Sequence, residues 1–359
     1  MKVTSNIKLK RSFSRANFAA RQNSSINICA ALGGRMEIKM NNKNEKQEVN
    51  IRSCAIIGCG NVGAATAYAL MHSKLLSKLV LIDINKKKAY GEAEDISHAL
   101  PFNSPMEIIA GDYCDLADCG LIIITAGVNQ TPGQTRLDLL QKNARIFRGI
   151  VDSILEYNKE ALLLVVTNPV DILTYITLAE SGFPSSRVIG SGTVLDTARL
   201  KEQVGRYLGV DSRNVHSFVI GEHGDSEVAV WSSANVSGID LDSYCKERKM
   251  EFDRSALDRL SAEVMSSAYR IIEAKGATYY GIADSVRRIV AAIVNDEHTI
   301  LPVSTKLSGE YGVYDVCMGI PCIVGRNGIE QILEIPLDKS EHSRLLESAA
   351  SLKEAIGQL

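Results

Sequence analysis

The segment GEHGDSE, residues 221–227, places a histidine where it could exchange protons with a ligand. His223 stands between Gly221 and Gly224, after an apolar run that predicts a strand. Small neighbours leave the imidazole accessible, and histidine titrates near neutral pH, which suits proton exchange with an alcohol. An ordinary surface or core histidine could have the same neighbours, so only other residues can show whether His223 belongs to a catalytic site.

Those residues come from the segment GTVLDTAR, residues 192–199. Asp196 and Arg199 are three positions apart and would share one face if the segment is helical. An aspartate can hold one histidine tautomer and stabilise its charged form, and an arginine can bind a carboxylate with two parallel hydrogen bonds. The three side chains together predict an acid–base site.

The segment GCGNVG, residues 58–63, follows a predicted strand and opens a predicted helix, as dinucleotide-binding turns do. Gly58 would permit the tight turn, Gly60 would let the backbone approach the pyrophosphate, and Gly63 would let helix and strand pack closely. Asp83 ends the next strand, where it can accept hydrogen bonds from both ribose hydroxyls and would repel a 2′-phosphate. The sequence therefore favours NAD over NADP, with a solvated strand-end acid as the alternative for Asp83.

The elements that must position these residues alternate between apolar strands and helices in the first half of the chain. Strands are predicted at 54–58, 79–84, 121–127 and 161–169, and helices at 61–74, 86–98 and 137–157. Near-continuous apolar strands separated by helices are typical of a parallel sheet that is buried on both faces. Residues 51–190 therefore predict a doubly wound α/β domain of the Rossmann type.

Residues 191–359 predict an α+β domain that would hold the substrate. Strands with one solvent-exposed face are expected at 215–221 and 226–238, and long helices at 250–275 and 278–296. A strand meander is expected at 300–325 and an amphipathic helix at 341–356.

Residues 1–50 are excluded from the predicted fold. The first 35 residues contain seven Lys or Arg and no Asp or Glu. This pattern is typical of a transit peptide, but a disordered extension fits it too and is favoured, because Met36 and Met40 offer later starts. We expect a cytoplasmic protein, with an organellar location as the alternative if the segment is a targeting signal.

The composition argues against several classes of partner. The net charge of −2 gives no electrostatic reason to expect nucleic acid, and the sequence has no apolar run of the ~18 residues that a membrane span needs. None of the eight cysteines forms a CxxC pair, so no metal site is expected.

Several motifs, in this order, resemble those of the lactate/malate dehydrogenase superfamily, and of its L-lactate dehydrogenases in particular. They are GCGNVG, ITAGVNQTPGQTRLDLL, VVTNPVDI, VIGSGTVLDTARL, IGEHGDSE and KGATYYGIA, and the resemblance covers residues 51–356. It implies an NAD-dependent enzyme that oxidises (S)-lactate to pyruvate and, in reverse, carries out the final step of lactate fermentation.

The resemblance implies a role for each matching residue. His223 would be the acid/base and Asp196 its partner, while Arg199 would bind the substrate carboxylate. Arg136, on a loop at 128–140 that closes over the site, would polarise the reacting carbonyl. The other implied substrate contacts are Gln130, Asn168, Asp196 and Thr278. The implied NAD-binding residues are Gly58, Gly60, Val62, Gly63, Asp83, Lys87, Tyr113, Gly127, Val128, Val166, Asn168, Ser191 and Ile282.

Gln130 matches the position where the family distinguishes substrate side chains. Malate dehydrogenases typically have arginine there, which pairs with the second carboxylate of oxaloacetate. Enclosing that carboxylate beside a neutral glutamine would cost several kcal/mol, whereas the methyl group of pyruvate carries no such penalty. Lactate is therefore expected over malate, although Gln134 stands where family members often have glutamate, which softens the discrimination.

The resemblance also raises the question of regulation. Bacterial members are often homotetramers activated by fructose 1,6-bisphosphate, which an arginine and a histidine bind at a subunit interface. His216 matches the histidine, but Lys201 occupies the arginine position and loses the bidentate phosphate geometry. A homotetramer is expected, while activation by this ligand and an ordinary surface lysine stay equal alternatives.

Four other functions stay open at this stage. Malate dehydrogenase and a broad L-2-hydroxy-acid dehydrogenase belong to the same class. An NAD-dependent glycosidase of related fold would need a divalent metal held partly by cysteine, and a non-catalytic NAD-binding protein would need none of the acid–base residues.

Overall fold

The computed structural model describes residues 26–27, 39–40, 50–128, 136–250 and 254–359, except for the side chains of residues 26–27, 39–40, Arg136 and Arg254. Its contacts divide the chain into two units, residues 1–48 and 49–359. The first unit contains two short antiparallel strands, β1 (Ile26–Asn27) and β2 (Lys39–Met40). The predicted nature of residues 1–50 stays a prediction.

The strands of the second unit, within the described residues, are β3 (Asn50–Ile57), β4 (Lys78–Ile82), β5 (Glu107–Ala110), β6 (Cys119–Ile124), β7 (Leu162–Val165), β8 (Val188–Gly190), β9 (Val215–Ile220), β10 (Val228–Val236), β11 (Ile239–Asp240), β12 (Thr299–Ser308), β13 (Tyr314–Gly325) and β14 (Gly328–Ile332). Its α-helices are α1 (Asn61–Ser73), α2 (Lys86–Ser97), α3 (Arg136–Tyr157), α4 (Val170–Ser181), α5 (Val194–Leu208), α6 (Leu241–Glu247), α7 (Arg254–Lys275), α8 (Tyr280–Val294) and α9 (Lys339–Ile356). Short 3-10 helices lie at Leu100–Phe102, Tyr113–Asp118, Ser185–Arg187, Ser212–Asn214 and Glu310–Gly312.

Most of these strands form one mixed sheet, in the order β14-β13-β12-β8-β7-β6-β3-β4-β5. The six strands from β8 to β5 run parallel, which confirms the predicted Rossmann-type sheet. Every residue of β6 and β7 is buried, as expected for strands covered by helices on both faces. The second half adds a separate antiparallel sheet in the order β11-β10-β9, so the α+β domain predicted for the C-terminal half is confirmed as well.

The predicted meander is present as β12, β13 and β14, but it extends the main sheet. Strand β12 joins β8 antiparallel, with Ser304 opposite Gly190. Five consecutive residues of β12 are buried, which fits a strand inside a large sheet. The predicted division of the chain at residue 190 stays a prediction.

Helix α4 was not predicted because its sequence, VDILTYITLAES, lacks an amphipathic pattern. It is buried on most sides and packs between β13 and α3, so apolar residues surround it and the helical period is hidden. The predicted strands at 121–127 and 161–169 end early, at Ile124 and Val165, because the chain turns there across the sheet edge.

In doubly wound sheets this edge contains a crevice where the connections between strands diverge. From β3 the chain passes through α1 to β4, which lies next to β3 in the sheet, and then to β5. After β5 it crosses back to β6, on the opposite side of β3, so the connections diverge between β3 and β6. Ligands of doubly wound sheets bind at such a point, beyond the carboxyl ends of the strands. Gly58 and Thr125 meet there, where Thr125 Oγ1 donates a hydrogen bond to the Gly58 carbonyl at 2.7 Å. Within the described ranges, none of the helices has both the length and the apolar character needed to span a bilayer.

Candidate active site

Two glycines of GCGNVG, Gly58 and Gly63, lie in the tight turn and the close helix–strand packing predicted for them. Gly58 has φ +106°, and a Cβ there would lie 2.5 Å from the backbone nitrogen of Ala126. A Cβ on Gly63 would overlap the carbonyl oxygen of Gly58. At Gly60, by contrast, a Cβ would meet nothing within 4 Å. The turn is therefore tightly packed at both ends and open at its middle residue, which is where a pyrophosphate would approach.

The start of α1 completes a cradle for phosphate. Gly60 is the N-cap and offers no side-chain hydrogen bond to the first turn, which contains no acidic residue. The N–H groups of a first helical turn have no partner within the helix, and the helix dipole favours an anion beside them. This open, uncapped turn fits the pyrophosphate of NAD.

Asp83 is held beside this turn by two backbone groups. Its Oδ2 accepts the N–H of Cys59 at 2.7 Å, and its Oδ1 accepts the N–H of Asn85 at 2.8 Å. Each carboxylate oxygen keeps a second acceptor position, so the group can still receive two ribose hydroxyls. The structure thus places Asp83 where the sequence predicted it.

The other residues predicted to bind NAD gather at the same edge. Four of them directly follow a strand, since Gly58, Asp83, Val166 and Ser191 come immediately after β3, β4, β7 and β8. Tyr113 lies three residues beyond the end of β5, and Gly127 and Val128 lie three and four residues beyond the end of β6. Val62 and Lys87 lie in the first turns of α1 and α2, and Ile282 in the first turn of α8. Because parallel strands end at one edge, these residues form the rim of a single crevice.

His223 and Asp196 are in direct contact. Nδ1 of His223 lies 2.5 Å from Oδ2 of Asp196, whose Oδ1 accepts a hydrogen bond from Arg199 at 2.8 Å. Asp196 is 1% exposed, whereas the His223 side chain is 22% exposed and so can be reached by a substrate. The helical spacing predicted for Asp196 and Arg199 is present in α5.

The charges of this group shift its proton affinities. Burial alone would lower the pKa of the His223 imidazole, but the charge and hydrogen bond of Asp196 outweigh it and raise the pKa to about 9. Burial opposes ionisation of Asp196, yet His223 and Arg199 together hold its pKa below the ordinary value. The pair is therefore an imidazolium–carboxylate pair at neutral pH, with His223 ready to donate a proton.

Two threonines fix the helix that carries Asp196 against the strand that leads to His223. Thr197 Oγ1 accepts the N–H of Val219 at 2.9 Å, and Thr193 Oγ1 donates to the Val219 carbonyl at 2.5 Å. Thr197 belongs to α5 and Thr193 is its N-cap residue, while Val219 lies near the end of β9. These contacts set the distance between the two halves of the acid–base pair.

Asp171, which the sequence analysis missed, holds the backbone of His223. Its Oδ2 accepts the His223 N–H at 2.7 Å, and its Oδ1 accepts the hydroxyl of Ser304 at 2.6 Å. Asp171 is 2% exposed, and burial raises its pKa to about 6 although both hydrogen bonds act to lower it. The available signal was an aspartate inside the apolar segment VDILTY.

Glu227 is a third carboxylate near the pair and was also missed. It offers a ligand atom within 4.8 Å of those of Asp196 and His223. Burial raises the pKa of Glu227 to about 8, helped by the charge of Asp196. A metal ion could be held by three such groups, but the hydrogen bond between His223 and Asp196 accounts for the proximity of those two.

Asn143, another residue that was not predicted, anchors the start of the loop. Its Oδ1 accepts the N–H of Val128 at 2.9 Å, and its Nδ2 donates to the carbonyls of Val128 and Asn168 at 3.3 and 3.4 Å. Residues 129–135, including Gln130 and Gln134, lie outside the described residues, as does the side chain of Arg136. Their predicted roles stay predictions.

The remaining predicted residues lie on nearby elements. Thr278 is half-buried between α7 and α8, directly before Tyr279, whose ring lies 3.5 Å from Nζ of Lys275. Lys201 is half-buried on α5, where burial lowers its pKa, and His216 is exposed on the adjoining β9. The predicted roles of Thr278, Lys201 and His216 also stay predictions.

Comparison with known proteins agrees with this geometry. The family described as lactate/malate dehydrogenase, NAD binding domain, matches residues 53–190, and its alpha/beta C-terminal domain matches residues 193–359. The L-lactate dehydrogenase of Acetivibrio thermocellus is 52% identical over 309 residues, which is 86% of this chain and 98% of that protein. L-lactate dehydrogenase 1 of Clostridium acetobutylicum is 50% identical over 85% of this chain and 97% of its own.

A solved structure gives the same result. The ligand-bound minor L-lactate dehydrogenase of Enterococcus mundtii superposes with a TM-score of 0.84 at 43% identity, covering 86% of this chain and 98% of that one. The chain, with its NAD-binding crevice and its histidine–aspartate pair, therefore belongs to the lactate/malate dehydrogenase family of NAD-dependent oxidoreductases.

Proposed function

We propose that this protein interconverts (S)-lactate and pyruvate with NAD as the hydride carrier. The observation that carries the proposal is the contact of His223 with Asp196, with Arg199 on the same carboxylate, near an NAD-binding crevice. Two relatives at half identity or more, each covered almost completely, bear the name L-lactate dehydrogenase.

Pyruvate reduction follows from the charges of these side chains. Bound NADH supplies the hydride that reaches C2 of the substrate. Arg199 uses one N–H on Asp196, so the rest of its guanidinium can bind the substrate carboxylate. His223 has Nδ1 on Asp196, which leaves Nε2 to donate a proton to the carbonyl oxygen. Pyruvate, NADH and one proton thus become lactate and NAD⁺.

Asp196 has two tasks in this scheme. It holds the tautomer and orientation of His223, and it stabilises the imidazolium that exists before proton transfer. Arg136 polarises the carbonyl from the loop, Asn168 and Thr278 complete the substrate pocket, and Gln130 selects the methyl group of pyruvate over a second carboxylate.

We extend the proposal to organisation and assembly. The NAD-binding part spans residues 51–190 and the catalytic part residues 191–359. The protein is a cytoplasmic homotetramer, and sedimentation measures this assembly state.

Lys201 and His216 form the site where fructose 1,6-bisphosphate would bind and activate the enzyme. A rate of pyruvate reduction that does not change at saturating fructose 1,6-bisphosphate would contradict this regulatory role.

The decisive experiment is NADH oxidation with pyruvate and with oxaloacetate, without added metal. We expect kcat/KM for pyruvate to exceed that for oxaloacetate by ~10² or more, since binding a second carboxylate without a cation costs several kcal/mol. A ratio near one, or reversed, would assign the protein to malate or to 2-hydroxy acids in general. A requirement for a divalent metal would contradict hydride transfer of this kind.

A further inference from the structure

The loop that carries His223 is joined to the C-terminal helix by a closed circuit of hydrogen bonds. Ser348, on α9, is 0% exposed, and its Oγ accepts the N–H of Glu222 at 2.9 Å. The same Oγ lies 3.0 Å from Oγ of Ser226, which in turn donates to Oε2 of Glu222. The circuit therefore starts and ends on Glu222, the residue before the histidine.

The direction of each hydrogen bond in this circuit is determined. The Ser226 hydroxyl donates to the carboxylate oxygen Oε2 of Glu222. The Ser348 hydroxyl then has to donate to Ser226, because Ser226 has already used its one proton. Each hydroxyl thus donates once, and the backbone N–H of Glu222 is paired. Removing the Ser348 hydroxyl would open the circuit at two places.

The circuit is one of three anchors on consecutive backbone groups. Gly221 exchanges two hydrogen bonds of 2.8 Å with Gly319 of β13, Glu222 is held by Ser348 of α9, and His223 is held by Asp171 of α4. The contact with α9 is also close, since a Cβ on Gly221 would lie 2.9 Å from Oγ of Ser348. Three separate elements therefore fix the path of the chain into the imidazole.

We propose that Ser348 is a positioning residue, through which the C-terminal helix holds His223 in register with Asp196. This inference rests on the proposed acid–base role of His223. A shift of the 222–226 turn would lengthen the contact between Nδ1 and Asp196 Oδ2, and the geometry of proton transfer is sensitive to displacements of this order.

The pH dependence of pyruvate reduction reports that contact. Among the described side chains, the charged or titratable groups that act on the imidazole and its partner are Asp196 and Arg199 from α5, Asp171 from α4 and Glu227 from the loop itself. Asp196 contributes most to the raised pKa of His223. Loosening the contact lowers that pKa, so the fall in activity with rising pH begins at a lower pH.

The test compares Ser348→Ala with Ser351→Ala, a matched control on an exposed position of the same helix. Ser348→Ala should lower kcat/KM for pyruvate about tenfold, because a displaced imidazole transfers its proton less efficiently. It should also move the alkaline limb of the pH profile to lower pH, while KM for NADH stays unchanged. Ser351→Ala should match the wild type, and Ser348→Thr, which keeps the hydroxyl, should recover the wild-type limb.

A second variant covers the case in which Ser348→Ala does not fold. Ser226→Ala opens the same circuit from the loop side without disturbing the packing of α9, and it should move the limb in the same direction. If either folded variant loses thermal stability but keeps the wild-type pH limb, Ser348 is merely structural and the inference is wrong. A wild-type enzyme without pyruvate activity, in contrast, would overturn the proposed function itself.

Discussion

Nδ1 of His223 and Oδ2 of Asp196 lie 2.5 Å apart although 27 residues separate them in the chain. The two side chains come from different elements, a loop after β9 and the first turn of α5, and Val219 with two threonines joins those elements. The proton affinity of the histidine is therefore a property of the tertiary fold.

The first prediction concerns the pH dependence. The pKa of His223 is raised to about 9, and pyruvate reduction needs the protonated imidazole. Its kcat/KM should therefore be level at neutral pH and fall above about pH 9, whereas lactate oxidation should rise over the same interval. In the Asp196→Asn variant, the fall of kcat/KM with rising pH should begin at a lower pH, and kcat/KM for pyruvate should be lower by ~10² or more. An unmoved limb in that variant would show that Asp196 does not set the proton affinity.

The second prediction separates two glycines of the cofactor turn. Gly60→Ala should fold with wild-type thermal stability, because a Cβ there meets nothing within 4 Å, but KM for NADH should rise where the methyl group meets the pyrophosphate. Gly63→Ala should lose stability before any ligand is added, because its Cβ overlaps the carbonyl of Gly58. Thermal melts with and without NADH measure both effects. Equal stability of the two variants would contradict the described turn.

The third prediction concerns substrate choice. Gln130→Arg should raise kcat/KM for oxaloacetate and lower it for pyruvate, because the new cation pairs the second carboxylate. Gln130→Leu is the control, since it changes size and polarity without adding charge. If both variants behave alike towards oxaloacetate, residue 130 does not face the substrate side chain.

The fourth prediction concerns the anchor of the loop. Asn143→Ala removes the hydrogen bonds that hold Val128 and Asn168, so kcat and the KM for pyruvate should both worsen. Asn158→Ala is the matched control, because Asn158 is equally a buried asparagine but bonds to Leu116, Cys119, Glu160 and Ala161, away from the loop. The control should lower the melting temperature and leave kcat/KM near wild type. If the two variants lose kcat/KM equally, Asn143 contributes to stability only and does not act through the loop.

The sequence was sufficient for the fold class, the family and the cofactor. The motifs behind these predictions are local, since a glycine turn, a strand-end aspartate and an i,i+3 pair can each be seen within a few residues. The comparisons confirm the family, the NAD dependence and the oxidoreductase class. The roles of the individual site residues stay predictions for the experiments above.

The supporting residues could not be found in this way. Asp171, Asn143 and Ser348 act through partners that lie 15 to 133 residues away, and their own surroundings in sequence look like ordinary helices. Helix α4 was missed for a related reason, because its burial removes the amphipathic pattern. Residues that touch a substrate leave local motifs, whereas residues that hold them in place are determined by tertiary contacts.

The position of Asp171 has a consequence for how activity arises during synthesis. Its carboxylate binds His223, 52 residues away, and Ser304, 133 residues away. Contacts of such separation form late, because the loops between them must close first. A growing chain can complete the parallel strands up to β8 before β12 has left the ribosome. We therefore expect NAD affinity to precede turnover in a nascent or refolding chain, so that recovered activity reports completion of the C-terminal strands.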